Sequence, residues 1–143
     1  MLGSLKPDEI DRVLMTEAIG RIGCHKDGRT YVVPVVFAFD GERIIAHSGN
    51  GMKVQMMRAN PEVCFQVEHV ENLGSWQSVI VWGRYEELDH VEALSAMNLL
   101  MEKYRDQTMS ETSMTAASGT KAPERAVVYA IRIKEKTGRY ERR

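Results

Sequence analysis

Residues 30–53 read TYVVPVVFAFDGERIIAHSGNGMK, and this stretch decides the fold. Two runs rich in β-branched and aromatic residues are joined by Asp40-Gly41, a hairpin signal. The second run, Arg43–Ser48, delivers His47 and Ser48 into the loop Gly49-Asn50-Gly51, and past Lys53 the apolar spacing turns helical. A chain that leaves a strand through glycines and enters a helix beside a lysine gathers free backbone N–H groups, a positive helix end and a mobile cation. Those are the ingredients of a phosphate site. Gly-rich strand-to-helix turns are common, so the turn alone assigns no ligand.

Working outward, Ala18–His25 (AIGRIGCH) reads as a strand, Lys26-Asp27-Gly28 as a turn and Thr30–Phe39 as its partner. Before them, Pro7-Asp8-Glu9 opens a short helix with an apolar stripe of Ile10, Val13 and Leu14. The helix Met52–Ala59 is closed by Asn60-Pro61, because the residue before proline disfavours helical geometry. Glu62–Val70 alternates as a strand with Val63, Phe65 and Val67 on one face. Trp76–Leu88 is a long strand, and Asp89 caps a helix with Val91, Leu94, Met97, Met101 and Tyr104 at helical spacing. Residues 106–124, rich in Ser, Thr, Met and Gly, read as a mobile loop. Ala126–Ile133 is a last strand, followed by the charged tail Lys134–Arg143.

Six strands joined mostly by hairpin turns predict a mainly β architecture, a six-stranded antiparallel barrel with peripheral helices. The 143 residues make a single domain over 1–143. Pro34 sits mid-strand in YVVPVVF, where it cannot donate to a ladder. Either the strand is an edge or bulge, or a flat ligand lies beside it and takes the amides of Val35 and Val36.

Nineteen basic and 20 acidic residues give a net charge of −1, mixed along the sequence, which argues against a nucleic-acid partner. No apolar run has the length of a membrane span. The N-terminal MLGSLKPDEIDRVL is acidic where a secretory signal would be basic, so a cytoplasmic location is expected. Cys24 and Cys64 are far apart and within apolar runs, reading as small buried hydrophobes rather than a disulfide or zinc ligands. No metal site is expected.

Taken in order, GRIGCHKDGRTYVVPVVFAFDGERIIAHSGNGMKVQMMRANPEVCFQVE and WQSVIVWGRYEEL resemble the flavin-binding split barrels related to pyridoxamine 5′-phosphate oxidase. The branch they look most like contains the nitroimidazole-resistance reductases. The resemblance covers residues 18–88, and it implies a split-barrel homodimer with two FMN molecules at the subunit interface. It implies that Pro34, Val35, Val36 and Phe37 lie against the isoalloxazine ring. His47 and Ser48 would flank the ribityl chain and phosphate, Lys53 would pair with the phosphate, and the amides of Asn50, Gly51 and Met52 would complete its cradle. Gln77, Ser78 and Val79 correspond to a strand that reaches the ribityl or phosphate group, with Trp76 nearby. The vitamin-B6 oxidases themselves carry an arginine-rich cluster and a C-terminal segment for their substrate's phosphate. Here the tail TGRYERR is short, and the strand positions that would supply arginine are Val or Pro.

The function implied is an FMN-dependent oxidoreductase reducing a small planar or nitroaromatic compound with an external electron donor, since flavin carries the redox chemistry. No residue is assigned a catalytic role. The alternatives are a non-enzymatic flavin-binding or storage module, a deazaflavin reductase, or a haem-binding split barrel using His25, His47 or His69.

Overall fold

The computed structural model describes residues 1–107 and 126–143. Its elements are β1 (Leu2–Ser4), α1 (Pro7–Thr16), β2 (Ile19–Lys26), β3 (Arg29–Val36), β4 (Ala38–Phe39), β5 (Arg43–Ser48), α2 (Met52–Ala59), β6 (Glu62–Asn72), β7 (Ser75–Glu87), α3 (His90–Gln107) and β8 (Val127–Glu141). The strands form one sheet in the order β3-β2-β6-β7-β8-β5-β4, with β1 added to β8. Its pairings are antiparallel.

Local sequence explains the hairpins. Asp27 and Gly28 both take positive φ (51° and 76°), the pair of left-handed residues that a two-residue turn matched to strand twist requires. Closure follows from one residue. β3 and β4 stand at opposite ends of the sheet path, yet only Phe37 separates them in the chain. One residue spans about 3.5 Å, so the sheet must roll until its two ends meet. Phe37 fixes the join: its N–H donates to Ala18 O (3.1 Å), and its buried ring meets Phe65 edge-on at 5.0 Å. The interior is filled by Leu14, Ile22, Phe65, Val67, Val79 and Ile131, all almost fully buried.

The structure has eight strands where six are expected from sequence, for two reasons. Thr30–Phe39 breaks at Phe37, where the chain passes from one end of the sheet to the other. Leu2–Ser4 pairs with residues Arg139–Glu141, so the expected charged tail is instead the continuation of β8. The tail keeps a strand because it lies between β1 and β7, and sheet pairing overrides a charged composition. The helical stripe of α3 is also rotated. Ala96 and Leu100 are buried, whereas Val91 and Leu94 are exposed. The loop expected over 106–124 begins inside α3, which runs to Gln107; the rest of it lies outside the described residues. The α1 stripe and the inward Val63, Phe65 and Val67 are as expected.

Candidate functional site

β5 runs beside β8 in the register His47↔Val128 and Ser48↔Val127, and then the chain leaves the sheet. Gly51 N–H donates to Gly49 O (2.9 Å), and the first helical bond of α2 runs from Gln55 N–H to Gly51 O (3.1 Å). The amides of Met52, Lys53 and Val54 therefore have no acceptor within the helix. Asn50 braces the loop: its Oδ1 accepts from the Gln55 and Arg58 side chains, and Arg58 in turn bonds Glu87. Ser48 Oγ donates to the adjacent Gly49 carbonyl (2.9 Å).

Lys53 is half-buried and makes no hydrogen bond or ion pair among the described residues. Its charge is felt by two neighbours. The His47 imidazole is held below its usual range, first by desolvation and then by the Lys53 ammonium. Burial pushes the Cys24 thiol up, and Lys53 offsets part of that rise. Around Gly49 and Gly51 nothing lies within 4 Å of where a Cβ would stand. The turn therefore holds a cation unpaired among the described residues, open helix-end amides and unfilled space. This donor set fits a phosphate.

β3 supplies the second part. Pro34 is exposed on the sheet's edge strand, paired on one side only, with Arg21. Because Phe37 N–H bonds Ala18 O and the register continues as Gly20↔Val35, the amides of Phe37 and Val35 point toward β2. Val36 N–H points the other way, as does the nitrogen of Pro34. Of the two amides expected to be open beside Pro34, only that of Val36 is; Val35 is part of the ladder. β3 touches β5, and Lys53 acts on Cys24, whose β3 partner is Tyr31. Pro34 to Val36 lies three to five residues further along, about 10–17 Å at strand rise. The turn thus lies near the Cys24–Tyr31 part of the β2–β3 hairpin, with the open Val36 amide further along the same strand.

It does not bring in Trp76, Gln77, Ser78 and Val79. Ser78 pairs with Glu68 and Arg139, whereas Ser48 pairs with Val127, so the two serines flank β8 positions 12 residues apart. That is roughly 40 Å along the strand. Val79 is buried in the barrel, and Ser78 Oγ accepts from Gln66 Nε2 (3.1 Å). Gln66, Glu68 and Arg21 continue this polar row across the outer face. Beside it, a groove of about 630 Å³ runs over Gly23, Val32, Cys64 and Trp82.

The histidines stand apart from one another. His25 Nδ1 bonds Thr30 Oγ1 (3.1 Å), and His69 lies against Glu17 and Glu71. Both cysteines are free thiols, Cys24 buried and Cys64 half-buried. No helix among the described residues is long and apolar enough to cross a membrane.

A second cavity, about 250 Å³, opens at the end of β3 between Val36, Phe37, Leu100 and Lys103. It was absent from the sequence-derived site. Its trace in the sequence is a lysine falling in with Ala96 and Leu100 on the face of α3 that meets the barrel.

Residues 6–140 match the family described as pyridoxamine 5′-phosphate oxidase. An uncharacterized protein of Rhizobium meliloti (strain 1021) is 35% identical over 101 residues, 67% of each chain. Among solved structures, a FAD-binding protein from Mesorhizobium loti is 32% identical, covers 98% of both chains and superposes with a TM-score of 0.77. A candidate 5-nitroimidazole antibiotic resistance protein from Bacteroides thetaiotaomicron is 20% identical over 98% of this chain and 87% of its own, with a TM-score of 0.74, a likeness of fold.

Proposed function

The chain belongs to the pyridoxamine 5′-phosphate oxidase family, and on that premise we propose that it is a flavin-dependent oxidoreductase acting on a small planar or nitroaromatic compound. The observation that carries the reading is the turn at 47–53, where a half-buried lysine without a partner among the described residues stands beside open helix-end amides. We read FMN as the cofactor. The Lys53 ammonium and the open amides of Met52 and Lys53 would hold its phosphate, with His47 and Ser48 beside the ribityl chain, whereas the Gly51 amide is already bonded to Gly49 O. Pro34 and Val36 would line the isoalloxazine ring, with Phe37 buried behind them. Bound there, flavin supplies hydride or electron transfer between an external donor and the substrate. The chain's own part is to bind, orient and shield. Val36 N–H is the donor available at the ring, and the apolar edge strand excludes water.

The separation of Ser78 from Ser48 along β8 supports a two-fold dimer, in which Gln77 and Ser78 of one copy serve the site of the other. The 630 Å³ outer groove with exposed Val32 and Trp82 suits a covered surface. Met52 is exposed as such a surface would want, but Met56 and Met57 are buried in this chain's own core. Two free cysteines fit a reducing, cytoplasmic setting.

A second reading, FAD, is favoured by the likeness to the FAD-binding protein of Mesorhizobium loti. Denaturing purified protein and identifying the released flavin separates the two. A colourless protein whose addition leaves FMN and FAD fluorescence unchanged would sink both. Anaerobic bleaching by NADPH, and reoxidation by a nitroarene, distinguishes an enzyme from a flavin store.

A further inference from the structure

The 250 Å³ cavity at the end of β3 is built differently from the phosphate turn. Ala18, Ile19, Val36, Phe37 and Leu100 give it apolar walls, and Lys103 and Tyr104 of α3 are its polar side chains. It is smaller than pockets for drug-sized ligands, about 300–1,000 Å³, and suits a single ring. The Lys103 ammonium sits 4.2 Å from the centroid of the Phe37 ring and donates one hydrogen bond to Glu17 O at the end of α1. An ammonium has three donors, and among the described residues this is the one hydrogen bond it makes, so two remain for an occupant. A cation in apolar walls is costly without an anion, and its charge defines what would offset it.

We propose that this cavity binds a small planar arene bearing a carboxylate, with Lys103 taking the carboxylate oxygens and the ring lying along the exposed Val36 and Ile19. The site deepens the flavin reading and rests on it in one respect. Val36 and Phe37 form a wall of the cavity and also the strand assigned to the flavin ring, which would make the occupant the substrate. Lys103 then selects anionic over neutral arenes. Its amine also has the right range for such a role: desolvation lowers its pKa to about 8, with Glu17 pulling the other way. The titratable groups facing it among the described residues are Glu17, Tyr104 and, through Glu17, His69 of β6.

The test is ligand-observed NMR on flavin-loaded protein with 4-nitrobenzoate and neutral 4-nitrotoluene. Lys103→Met should weaken 4-nitrobenzoate by about tenfold or more and 4-nitrotoluene by less than about twofold, while Lys103→Arg retains most affinity. In the wild type, 4-nitrobenzoate affinity should decline as pH rises above about 8, and in Lys103→Met the profile should be flat. Ile19→Trp, at the exposed rim, should weaken both ligands without touching the Lys103 bonds, and it serves should Lys103→Met fail to fold. Equal losses for both ligands in Lys103→Met, or no loss, would assign Lys103 to pinning α3 against α1 and overturn the site. Displacement of 4-nitrobenzoate from flavin-stripped protein by added FMN would also overturn it, since the cavity would then hold part of the flavin. If FMN fails to bind while 4-nitrobenzoate binding still depends on Lys103, the flavin reading falls and the anion site stands.

Discussion

Gly83 and Gly51 are glycines for opposite reasons. In the barrel wall, a Cβ on Gly83 would stand 2.5 Å from the Arg132 carbonyl oxygen, at the point where the β7–β8 register shifts. At the 47–53 turn, a Cβ on Gly51 would meet nothing within 4 Å, and its φ of −106° is open to any residue. The wall glycine is explained by the chain's own packing. The turn glycine, the N-cap of α2, is not crowded by the chain, and the space beside it is open to something that approaches from outside. Wall residues should therefore govern stability, and turn residues should govern ligand affinity.

The largest effect should be Gly83→Ala. The clashing atom is backbone and cannot rotate aside, so urea titration should show a loss of about 2–3 kcal/mol. A loss below about 0.5 kcal/mol would remove the packing account of the wall. Next comes Lys53→Ala, which should weaken FMN by about 1.5–3 kcal/mol and leave riboflavin, which lacks a phosphate, almost unaffected. Equal losses for both ligands would make Lys53 an ordinary solvated helix residue. Gly51→Ala should leave stability within about 0.5 kcal/mol of wild type while costing about 1 kcal/mol of FMN affinity, and the reverse pattern would break the contrast with Gly83.

Tyr129 sharpens the wall side. Its hydroxyl is buried with no hydrogen-bond partner among the described residues, and burial pushes its pKa up. Tyr129→Phe should be neutral or stabilising by about 1 kcal/mol with unchanged flavin affinity. A clear destabilisation would mean the hydroxyl has a partner, such as a buried water. The smallest effect concerns His47. Its lowered folded-state pKa means that the unfolded chain takes up the proton more readily. The stability tied to its neutral form is thus present above its usual 6.5 and is lost as pH falls through the folded value. Lys53→Ala should raise the His47 midpoint in an NMR titration, and an unmoved midpoint would separate the two residues.

The wall was more legible in the sequence than the site. Alternation at Val63, Phe65 and Val67 and the Asp27-Gly28 turn report short-range physics, and both stand in the structure as read. The break at Phe37 and the docking of Leu2–Ser4 on β8 are long-range pairings with no local signature. The turn at 47–53 was visible because glycine, histidine and lysine are adjacent in sequence. The distance of Ser78 from it was not, because that depends on the register of β7 and β5 on a strand that starts at residue 127. Lys103 was hidden because the apolar stripe of α3 was assigned one face away from the one that packs.

β8 has a consequence for the order in which the molecule can form. It pairs with β1, β5 and β7, and without it the hydrogen-bonded sheet separates into β3-β2-β6-β7, the β4-β5 hairpin and a lone β1. Emerging from a ribosome, the β2–β3, β4–β5 and β6–β7 hairpins can pair early through short turns and β2 can then join β6, but the four-stranded part and the β4-β5 hairpin cannot be knit to each other until residues 127–141 appear. Closing the ring then demands contacts across more than a hundred residues, such as Leu2 with Glu141, which slows the step and leaves the edge of β7 unpaired in the meantime. A nascent chain stalled before residue 127 should therefore expose a sticky strand edge, and be a better client for chaperones than the finished protein.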